Sequence, residues 1–467
     1  MTARASALAL LAVMALVLTD ALLPMAPLRL AARCLLVAFV LLEWRRMALN
    51  AKVMVAIAGL GCAGLPLLVA DPGPAVARSL DSGAFLATFF ASQFFLKEAA
   101  RGSPLVRRCS TFFVNQRPAR RYALLTLGGY LFGIILNVGV LSLLGIMITR
   151  RNSLQAAGGS EELRLARERR MAMALLRGFS VTPLASPLSI ALAVVTTALP
   201  ELHWSTLLPL GILTGALVLG CGCLQDWIQA PRHLAPLVPP MESDRDIGAL
   251  LGVSALVLGV FFLAAGIESA IGIPLSRAIV VSIPLVGLGW QVRQYADYGP
   301  LLAARLTGRR VVREAGRTFP NYRTEIAILG GAGVIGTLVA AAAPPELLGR
   351  LLGGLAAPPA VLAPALLLVV ALPAFVGINP IVTVTIVASV VHAMAAPPLA
   401  PQVVALALLS GWVLAVNCSA LTASAMLLGD ILKRPPGLLT VGWNGGFSLV
   451  LAVILAAWVA LLTLIGG

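Results

Sequence analysis

Long apolar runs separated by short basic loops dominate the chain. Runs typical of membrane spans cover residues 5–25, 29–43, 53–70, 84–97, 172–199, 205–224, 248–267, 272–292, 324–343, 402–429 and 437–465. A helix needs about 20 predominantly apolar residues to cross a bilayer. Two further apolar segments, 123–149 and 362–395, contain internal breaks that do not fit a single crossing. The pattern predicts an all-α polytopic membrane protein with about 11 transmembrane helices and two re-entrant hairpins.

The first of these segments, 123–149, has clusters of basic residues on both flanks. The residues before it are Lys97, Arg101, Arg107, Arg108, Arg117, Arg120 and Arg121, and those after it are Arg150, Arg151, Arg164, Arg167, Arg169, Arg170 and Arg177. Because basic residues beside short membrane loops are biased to the cytoplasm, the segment is expected to enter and return. Two legs of about 12 residues would each reach about 18 Å, roughly half the bilayer. This is the first hairpin; a single tilted helix is the alternative.

A proline-rich stretch, TPLASP, interrupts the apolar run 172–199 that follows the first hairpin. Pro183 and Pro187 stand beside Thr182, Ser186 and Ser189. Each proline removes a backbone donor and frees a carbonyl one turn earlier. Free backbone groups at membrane depth are tolerated where they line a cavity or lie buried in protein. The stretch therefore predicts a first broken helix beside a binding site, and a proline-kinked helix is the alternative.

The second half of the chain repeats both features. The second hairpin, 362–395, places Asn379 where the first hairpin has Asn137, and the second broken helix, 402–429, carries Ser419, Thr422 and Ser424. Asn379 follows Asn137 by 242 positions, and Ser424 follows Thr182 by the same interval. The flanking charges predict that the first hairpin faces the cytoplasm and the second faces outward. These features predict two inverted-topology repeats, 1–225 and 247–467, joined by a cytoplasmic linker, 226–246.

Composition supports the membrane assignment and narrows the chemistry. Hydrophobic residues make up 59% of the 467 residues and charged residues only 11%. The net charge of +15 lies in loops between apolar runs, so orientation and lipid headgroups explain it better than nucleic acid does. The N-terminus is predicted to be cytoplasmic, and its apolar run a retained helix in a bacterial-type inner membrane. Six cysteines and three histidines form no ligand cluster in the sequence, so no cofactor is predicted except a coupling Na+.

The order of these elements resembles the ion transporter superfamily. The resemblance rests on FFLKEAARGSPLVRRC, then RRYALLTLGGYLFGIILNVGVLSLLGIMI, then TPLASP, and on the matching region 365–430. Members include citrate and dicarboxylate carriers, arsenite exporters and one class of Na+/H+ antiporters. The resemblance implies that Asn137 and Asn379 are hairpin-tip ligands that also bind Na+. It implies that the unwound segments carry further substrate ligands, namely Thr182, Ser186, Ser419 and Thr422.

The chain departs from the family at the tips. Leu136 and Ile378 stand where several branches place an aspartate, and the Ser-Asn-Thr tip of the dicarboxylate branch is absent. The resemblance therefore does not transfer a substrate. Relatives are often dimers, so a homodimer is one expected oligomeric form.

Charged residues near the spans add one more candidate. Arg177 stands just before the TPLASP break, where its guanidinium could bind an anionic substrate; a positive-inside anchor is the alternative. The acidic residues near span ends are expected to be interface anchors, and they are Asp20, Asp226, Glu268, Glu325 and Asp430. A site poor in acidic groups favours an anion or neutral solute over a cation/proton antiporter.

Together these features predict a secondary active transporter and not an enzyme, with no catalytic residues. It would move a small organic or inorganic anion by alternating access, coupled to Na+ or H+, within the lipid bilayer. A cation/proton antiporter of the same fold is the first alternative. A membrane enzyme or assembly factor for envelope polysaccharide is the second, but such enzymes need a larger external loop than this sequence has.

Overall fold

The computed structural model describes residues 3–231, 233–234, 246–342, 357–394 and 398–465, and within them it has helices and no strands. The helices of the first half are α1 Ala3–Leu22, α2 Ala26–Glu43, α3 Leu49–Gly64, α4 Gly73–Arg101, α5 Pro104–Val114, α6 Pro118–Leu136, α7 Gly139–Arg151, α8 Glu161–Ser180, α9 Thr182–Ala185, α10 Ile190–Ala198 and α11 Trp204–Gln229. Those of the second half are α12 Ile247–Ile271, α13 Leu275–Gln294, α14 Pro300–Thr318, α15 Arg323–Ala342, α16 Pro359–Ala371, α17 Pro380–His392, α18 Pro401–Cys418, α19 Ala423–Leu432 and α20 Gly445–Ile465.

Ten helical stretches among the described residues are long and apolar enough to cross a membrane. They confirm the prediction of an all-α polytopic membrane protein. The predicted spans 29–43 and 84–97 form α2 and α4, which are not among the ten. Most of the predicted linker 226–246 and the end of the second hairpin at 395 lie outside the described residues. The start of that linker is helical, because α11 continues to Gln229.

Helices α4 and α15 pack on each other along much of their length, and small residues explain how closely they approach. A Cβ atom added to Gly83 of α4 would lie 2.9 Å from the carbonyl oxygen of Gly330 in α15. Without side chains at this crossing, the two backbones approach each other directly, as is common between membrane helices. Almost every side chain from Ala84 to Leu96 is consequently buried. These two helices carry residues of the central cavity described below.

The two hairpins and the two broken helices contact each other in a reciprocal pattern. The first hairpin is α6 and α7, and the first broken helix is α8 to α10; the second hairpin is α16 and α17, and the second broken helix is α18 and α19. The first arm of each hairpin packs on the broken helix of its own half, α6 on α8 and α16 on α18. The second arm packs on the broken helix of the other half, α7 on α19 and α17 on α10. Equivalent elements of the two halves therefore have equivalent neighbours.

The breaks align in a different register from the one that the sequence spacing predicted. Ser186 and Ser419 each accept a hydrogen bond from the backbone N–H two residues later, both at 3.2 Å. Ser189 and Thr422 are the N-caps of the helices that follow the breaks. Ser419 follows Ser186 by 233 positions, and Thr422 follows Ser189 by the same 233. Pairing Thr182 with Ser424 at 242 positions was therefore wrong for the broken helices.

Candidate functional site

Both hairpin tips and both helix breaks line one central cavity of about 510 Å³. Five of the seven predicted substrate-binding residues are found in its wall: Asn137, Thr182, Ser186, Asn379 and Thr422. The two others, Arg177 and Ser419, do not line it. The lining is polar at the tips and breaks and apolar between them, with Phe179 and Trp412 among the large side chains. A cavity of this size and mixed lining is typical of a site for a small molecule.

The tip of the first hairpin is held in an uncommon backbone conformation. Asn137 has φ 52 and ψ −137, and its backbone N–H donates to Gly133 at the end of α6. Non-glycine residues at positive φ are uncommon, and they concentrate at functional sites where the surroundings over-determine them. The Asn137 side chain contributes to this, because its Oδ1 accepts from the Val138 N–H at 2.8 Å. The strained turn ends α6 and starts α7 with the Asn137 amide on the cavity wall.

Gln93 of α4 links this tip to the first break. Its amide nitrogen donates to the Leu188 carbonyl at 3.3 Å, and its amide oxygen accepts from Asn137 Nδ2 at 3.5 Å. Pro183 and Pro187 explain the break itself, since neither can donate to the preceding turn. Gln93 therefore satisfies a carbonyl that the break leaves free. Gln93 was not predicted as a site residue, although a glutamine in the middle of the apolar stretch ATFFASQFF is an unusual feature of the sequence.

The second break and the second tip are joined in a similar way. The Ser419 hydroxyl donates to the Ala374 carbonyl at 2.6 Å, and the Thr422 hydroxyl donates to the Ser419 carbonyl at 3.0 Å. Asn379 is the N-cap of α17, with its Oδ1 accepting from the Ile381 N–H at 3.0 Å. Ser419 thus lies behind the cavity wall, where it fixes the tip to the break.

Four helices begin at the cavity, so their N-termini contribute partial positive charge to its wall. The residues at or next to their starts, Gly139, Ser189, Pro380 and Ala423, all line it. Helix N-termini carry partial positive charge and free N–H groups, which favour anions. The same breaks also place helix C-termini beside the cavity, and their carbonyl oxygens favour cations. Such pairs of broken helices can hold an anionic solute and a Na+ ion together.

Lys97 of α4 is the cationic side chain of the cavity wall among the described residues. Its ammonium lies 5.1 Å from the centre of the Phe90 ring and 5.8 Å from that of Tyr322. Among the described residues, Glu325 is the acidic group that interacts electrostatically with this ammonium. Glu325 of α15 also lines the cavity, so its predicted role as an interface anchor was incomplete. In the sequence Lys97 is one of the basic residues that flank the first hairpin, and it was not predicted to line the site.

Arg177 lies in a separate buried network. Its guanidinium donates to Asn444 Oδ1 at 2.7 Å and to the Tyr122 hydroxyl at 2.8 Å. It also lies 3.9 Å from the centre of the Phe447 ring, and Asn444 in turn donates to the Asn417 carbonyl at 2.9 Å. Arg177 therefore ties the first broken helix to the second and to α20. Neither the predicted contact with a substrate in the cavity nor a simple surface anchor describes this position.

A second cavity, of about 630 Å³, lies on the other side of the first break. Phe89 and Pro187 line this second cavity, whereas Phe90, Gln93 and Leu188 line the central one. The layer between the two cavities is thus one turn of α4 packed against the Ser186–Leu188 break. The rest of the lining of the second cavity includes the charged residues Asp20, Arg29 and Glu268.

The candidate Na+ ligands keep free coordination capacity. The amide oxygens of Asn137 and Asn379 each accept one backbone hydrogen bond and have a second lone pair. Both oxygens belong to residues on the cavity wall, so they fit the chemistry of a Na+ site. Within the described residues there is no group of three or more His, Cys, Asp or Glu side chains that could hold a metal ion.

Neither a protein-family model nor a curated protein matches the sequence. The structure is similar to the crystal structure of the Alcanivorax borkumensis YdaH transporter, whose topology is described as unusual. The TM-score is 0.58 at 15% sequence identity, and the similarity covers 89% of this chain and 98% of that one. The chain is thus an integral membrane protein that shares its fold with this transporter.

Proposed function

We propose that this chain is a secondary active transporter that moves a small organic or inorganic anion across the membrane, coupled to Na+ or H+. The observation that carries the proposal is the composition of the central cavity. Two tips, two breaks and the Lys97 ammonium surround one space, and helix N-termini are directed at it. An anion would gain the Lys97 ammonium and the helix N-termini as partners there, and Glu325, which interacts electrostatically with Lys97, is the one acidic side chain among the described residues of the same wall.

Na+ is the coupling ion that the geometry favours. The amide oxygens of Asn137 and Asn379 and the carbonyl ends at the breaks supply neutral oxygen ligands, which suit a weakly held alkali cation. Binding of Na+ beside the anion would offset part of the charge of each. The substrate would then enter only with its ion, which is the requirement for symport.

The two cavities and the reciprocal packing support alternating access. The wall residues Asn50, Lys97, Tyr322 and Glu325 belong to chain segments that the charge pattern assigns to the cytoplasmic side. The second cavity would then be an outer vestibule, closed off by Phe89 and the Ser186–Leu188 break. Movement of that layer would open the central cavity outward. Two inverted repeats, each with one hairpin and one broken helix, provide the symmetry for such an exchange.

The test is thermal unfolding of the detergent-purified protein with and without Na+, across a panel of carboxylates and oxyanions. A ligand that binds only the folded state stabilises it by about 2.7 kcal/mol at a hundredfold excess over its dissociation constant. We expect one class of anion to raise the melting temperature, and to do so more strongly with Na+. Uptake of that anion into proteoliposomes under a Na+ gradient then establishes transport.

Matched variants locate the site. Asn137→Ala and Asn379→Ala are expected to remove the Na+-dependent part of the shift in melting temperature. Lys97→Gln is expected to lower the affinity for the anion at least about tenfold. The controls are Asn321→Ala, on an exposed residue outside the cavity wall, and Lys52→Gln on α3. Equal ligand shifts in site and control variants would exclude this cavity as the binding site. No shift with any anion in well-folded protein would refute the anion proposal.

Glu325 gives the second candidate a specific basis. A carboxylate on the cavity wall is the group that a cation/proton antiporter would use. In that case Glu325→Gln abolishes cation-driven proton flux in vesicles, whereas Glu162→Gln, on an exposed carboxylate of α8, does not. Anion-dependent uptake that survives Glu325→Gln favours the symporter instead.

A further inference from the structure

Helix α14, Pro300–Thr318, connects α13 to α15 and carries too many charges to cross the membrane itself. Its 19 residues include five arginines and one glutamate. In its middle, Arg310 donates to Glu98 Oε1 at 2.9 Å, close to the end of α4, and to Oε1 of Gln294, the last residue of α13, at 3.5 Å. Helix α14 therefore lies across the ends of α4 and α13. The charge pattern assigns these ends to the cytoplasmic side.

Two neighbouring rows of residues form the exposed face of α14. The basic row has an arginine at every fourth position and consists of Arg305, Arg309, Arg313 and Arg317, all exposed. The apolar row beside it consists of Leu301, Ala304, Gly308 and Val312, also exposed. Leu301 is 82% exposed and Val312 is 70% exposed. Ala303 and Thr307, on the opposite side of the helix, are buried. A helix with an apolar and a basic sector on its outer face is typical of the membrane interface.

The positive charges of the basic row are only partly balanced within the protein. Glu314 accepts from Arg313 at 2.9 Å and from Arg317 at 3.4 Å. The side chains of Arg305 and Arg309 have no hydrogen-bond or ion-pair partner anywhere in the described part of the chain. The whole connection 293–323 is described, and it contains seven arginines against two acidic residues, Asp297 and Glu314. Two exposed guanidinium groups beside an apolar row are thus left for an anion outside the protein.

A phospholipid is the anion that fits both rows. A soluble anion would pair with the arginines but would leave Leu301 and Val312 in water, whereas a phospholipid offers phosphate and acyl carbon at adjoining depths. A second copy of the chain in a two-fold contact would place the basic row against itself. Tyr298, 64% exposed in the turn before α14, is a residue type that is enriched at the membrane interface.

We propose that α14 lies in the headgroup layer of the cytoplasmic leaflet, where Arg305 and Arg309 bind the phosphates of anionic phospholipids and the apolar row contacts the acyl chains. Guanidinium groups suit this role because their fork of donors matches phosphate oxygens. Through Arg310, the lipid-bound helix holds the end of α4, which carries Lys97 of the central cavity. The lipid surface itself is separate from that cavity and does not depend on the transported solute.

The test is photocrosslinking of the full-length protein in liposomes with equal amounts of phosphatidylglycerol and phosphatidylcholine of the same acyl chains. The photoreactive residue p-benzoylphenylalanine replaces Val312, and mass spectrometry identifies the adducts. In the positive control it replaces Val453, which is 70% exposed on α20. We expect lipid adducts at both positions, with phosphatidylglycerol in excess over phosphatidylcholine at position 312.

A charge variant tests the two arginines, and a matched variant controls for net charge. The charge variant is Arg305→Gln with Arg309→Gln. The control is Arg107→Gln with Arg120→Gln, which removes the same charge from exposed positions on α5 and α6. An exposed arginine at an anionic surface gives about a fivefold preference, so the ratio of phosphatidylglycerol to phosphatidylcholine adducts at position 312 should fall roughly 25-fold in the charge variant. The control should keep the ratio of the unchanged protein.

The other outcomes would overturn the proposal. Adducts between two copies of the chain at position 312 would show a protein interface on this face. Lipid adducts at position 453 without any at position 312 would show that the face lies in water. Equal yields of the two lipids, or equal losses in the two variants, would exclude Arg305 and Arg309 as the phosphate-binding residues. Equal melting temperatures of the variants and the unchanged protein in detergent show that all of them remain folded.

Discussion

Gly178 of the first broken helix makes a very close backbone contact with α6. A Cβ atom at this position would overlap the Thr126 carbonyl oxygen of α6 and lie 2.8 Å from its carbonyl carbon. In known structures, Cβ atoms essentially never lie closer than 3.0 Å to another non-bonded heavy atom. Because the obstacle is backbone, no rotation of a side chain can relieve it, and Gly178→Ala must push α6 away from α8.

The cost of this change follows from packing. Overpacking a tight contact costs about 1–3 kcal/mol, and occasionally more when backbone must move. Alanine regains up to about 1 kcal/mol of helix propensity relative to glycine. Because backbone must move, the upper end of the overpacking cost applies, and after the gain in helix propensity we expect Gly178→Ala to destabilise the protein by about 2 kcal/mol. The displacement also shifts the first hairpin, so the ligand-induced stabilisation at Asn137 should fall as well.

The same substitution elsewhere is the control. Gly220 of α11 is exposed, and an added Cβ would meet no atom within 4 Å. Gly220→Ala is expected to leave the melting temperature unchanged or raise it. Gly411 of the second broken helix should behave like Gly178, because its Cβ would overlap the Leu367 carbonyl oxygen of α16. Thermal unfolding of the three variants in one detergent decides the matter. If Gly178→Ala and Gly220→Ala have the same melting temperature, the close approach of α6 and α8 is refuted.

Two other changes test the interior. Arg177→Met is expected to destabilise the protein by at least about 2 kcal/mol in thermal unfolding, because the buried Tyr122 and Asn444 side chains each lose a hydrogen bond worth about 1–3 kcal/mol. The anion affinity of this variant should be unchanged. A selective loss of anion affinity would contradict the placement of Arg177 outside the cavity. Burial raises the pKa of the Cys109 thiol on α5 to about 12, so at pH 8 only about one thiol in ten thousand is a thiolate. Iodoacetamide at pH 8 should therefore modify Cys109 only after unfolding in dodecyl sulfate, and peptide mass spectrometry that finds it modified in the folded protein would contradict its burial.

The tips and the breaks could be predicted from the sequence because local chemistry defines them. Asparagine and glycine in an apolar run indicate a turn, and Pro183 and Pro187 cannot continue a helix wherever they lie. The cavity residues of α4 could not be predicted in this way. Lys97 stands at the end of an apolar run, where the orientation rule for basic residues already explains it. Only the packing of α4 on α15 shows that its ammonium lies at the cavity.

Arg177 was predicted to bind the substrate, but it does not line the cavity. Its position just before the break indicated a binding role, and the sequence distance to the break is indeed short. Its partners are what decide its role, and Asn444 lies 267 positions later in the chain. A helix presents its side chains around its whole circumference, so a residue near a break can face away from the cavity. Sequence proximity to a site therefore does not predict the direction in which a side chain points.

The register of the repeats follows from hydrogen bonds rather than from composition. The interval of 242 positions between Asn137 and Asn379 compares hairpin tips, whereas 233 positions separate Ser186 from Ser419 at the breaks. Most of the nine-residue difference lies in the helix before the break, which covers 161–185 in the first half and Pro401–Cys418 in the second, whereas the connections between hairpin and broken helix differ by one residue. A helix can gain two turns without disturbing the cap that follows it, but a capping side chain must stand at one fixed place before its helix. The tips and the breaks of the two halves are therefore aligned reliably when each is taken separately, and a single offset carried across elements of unequal length misplaces the residues that line the site.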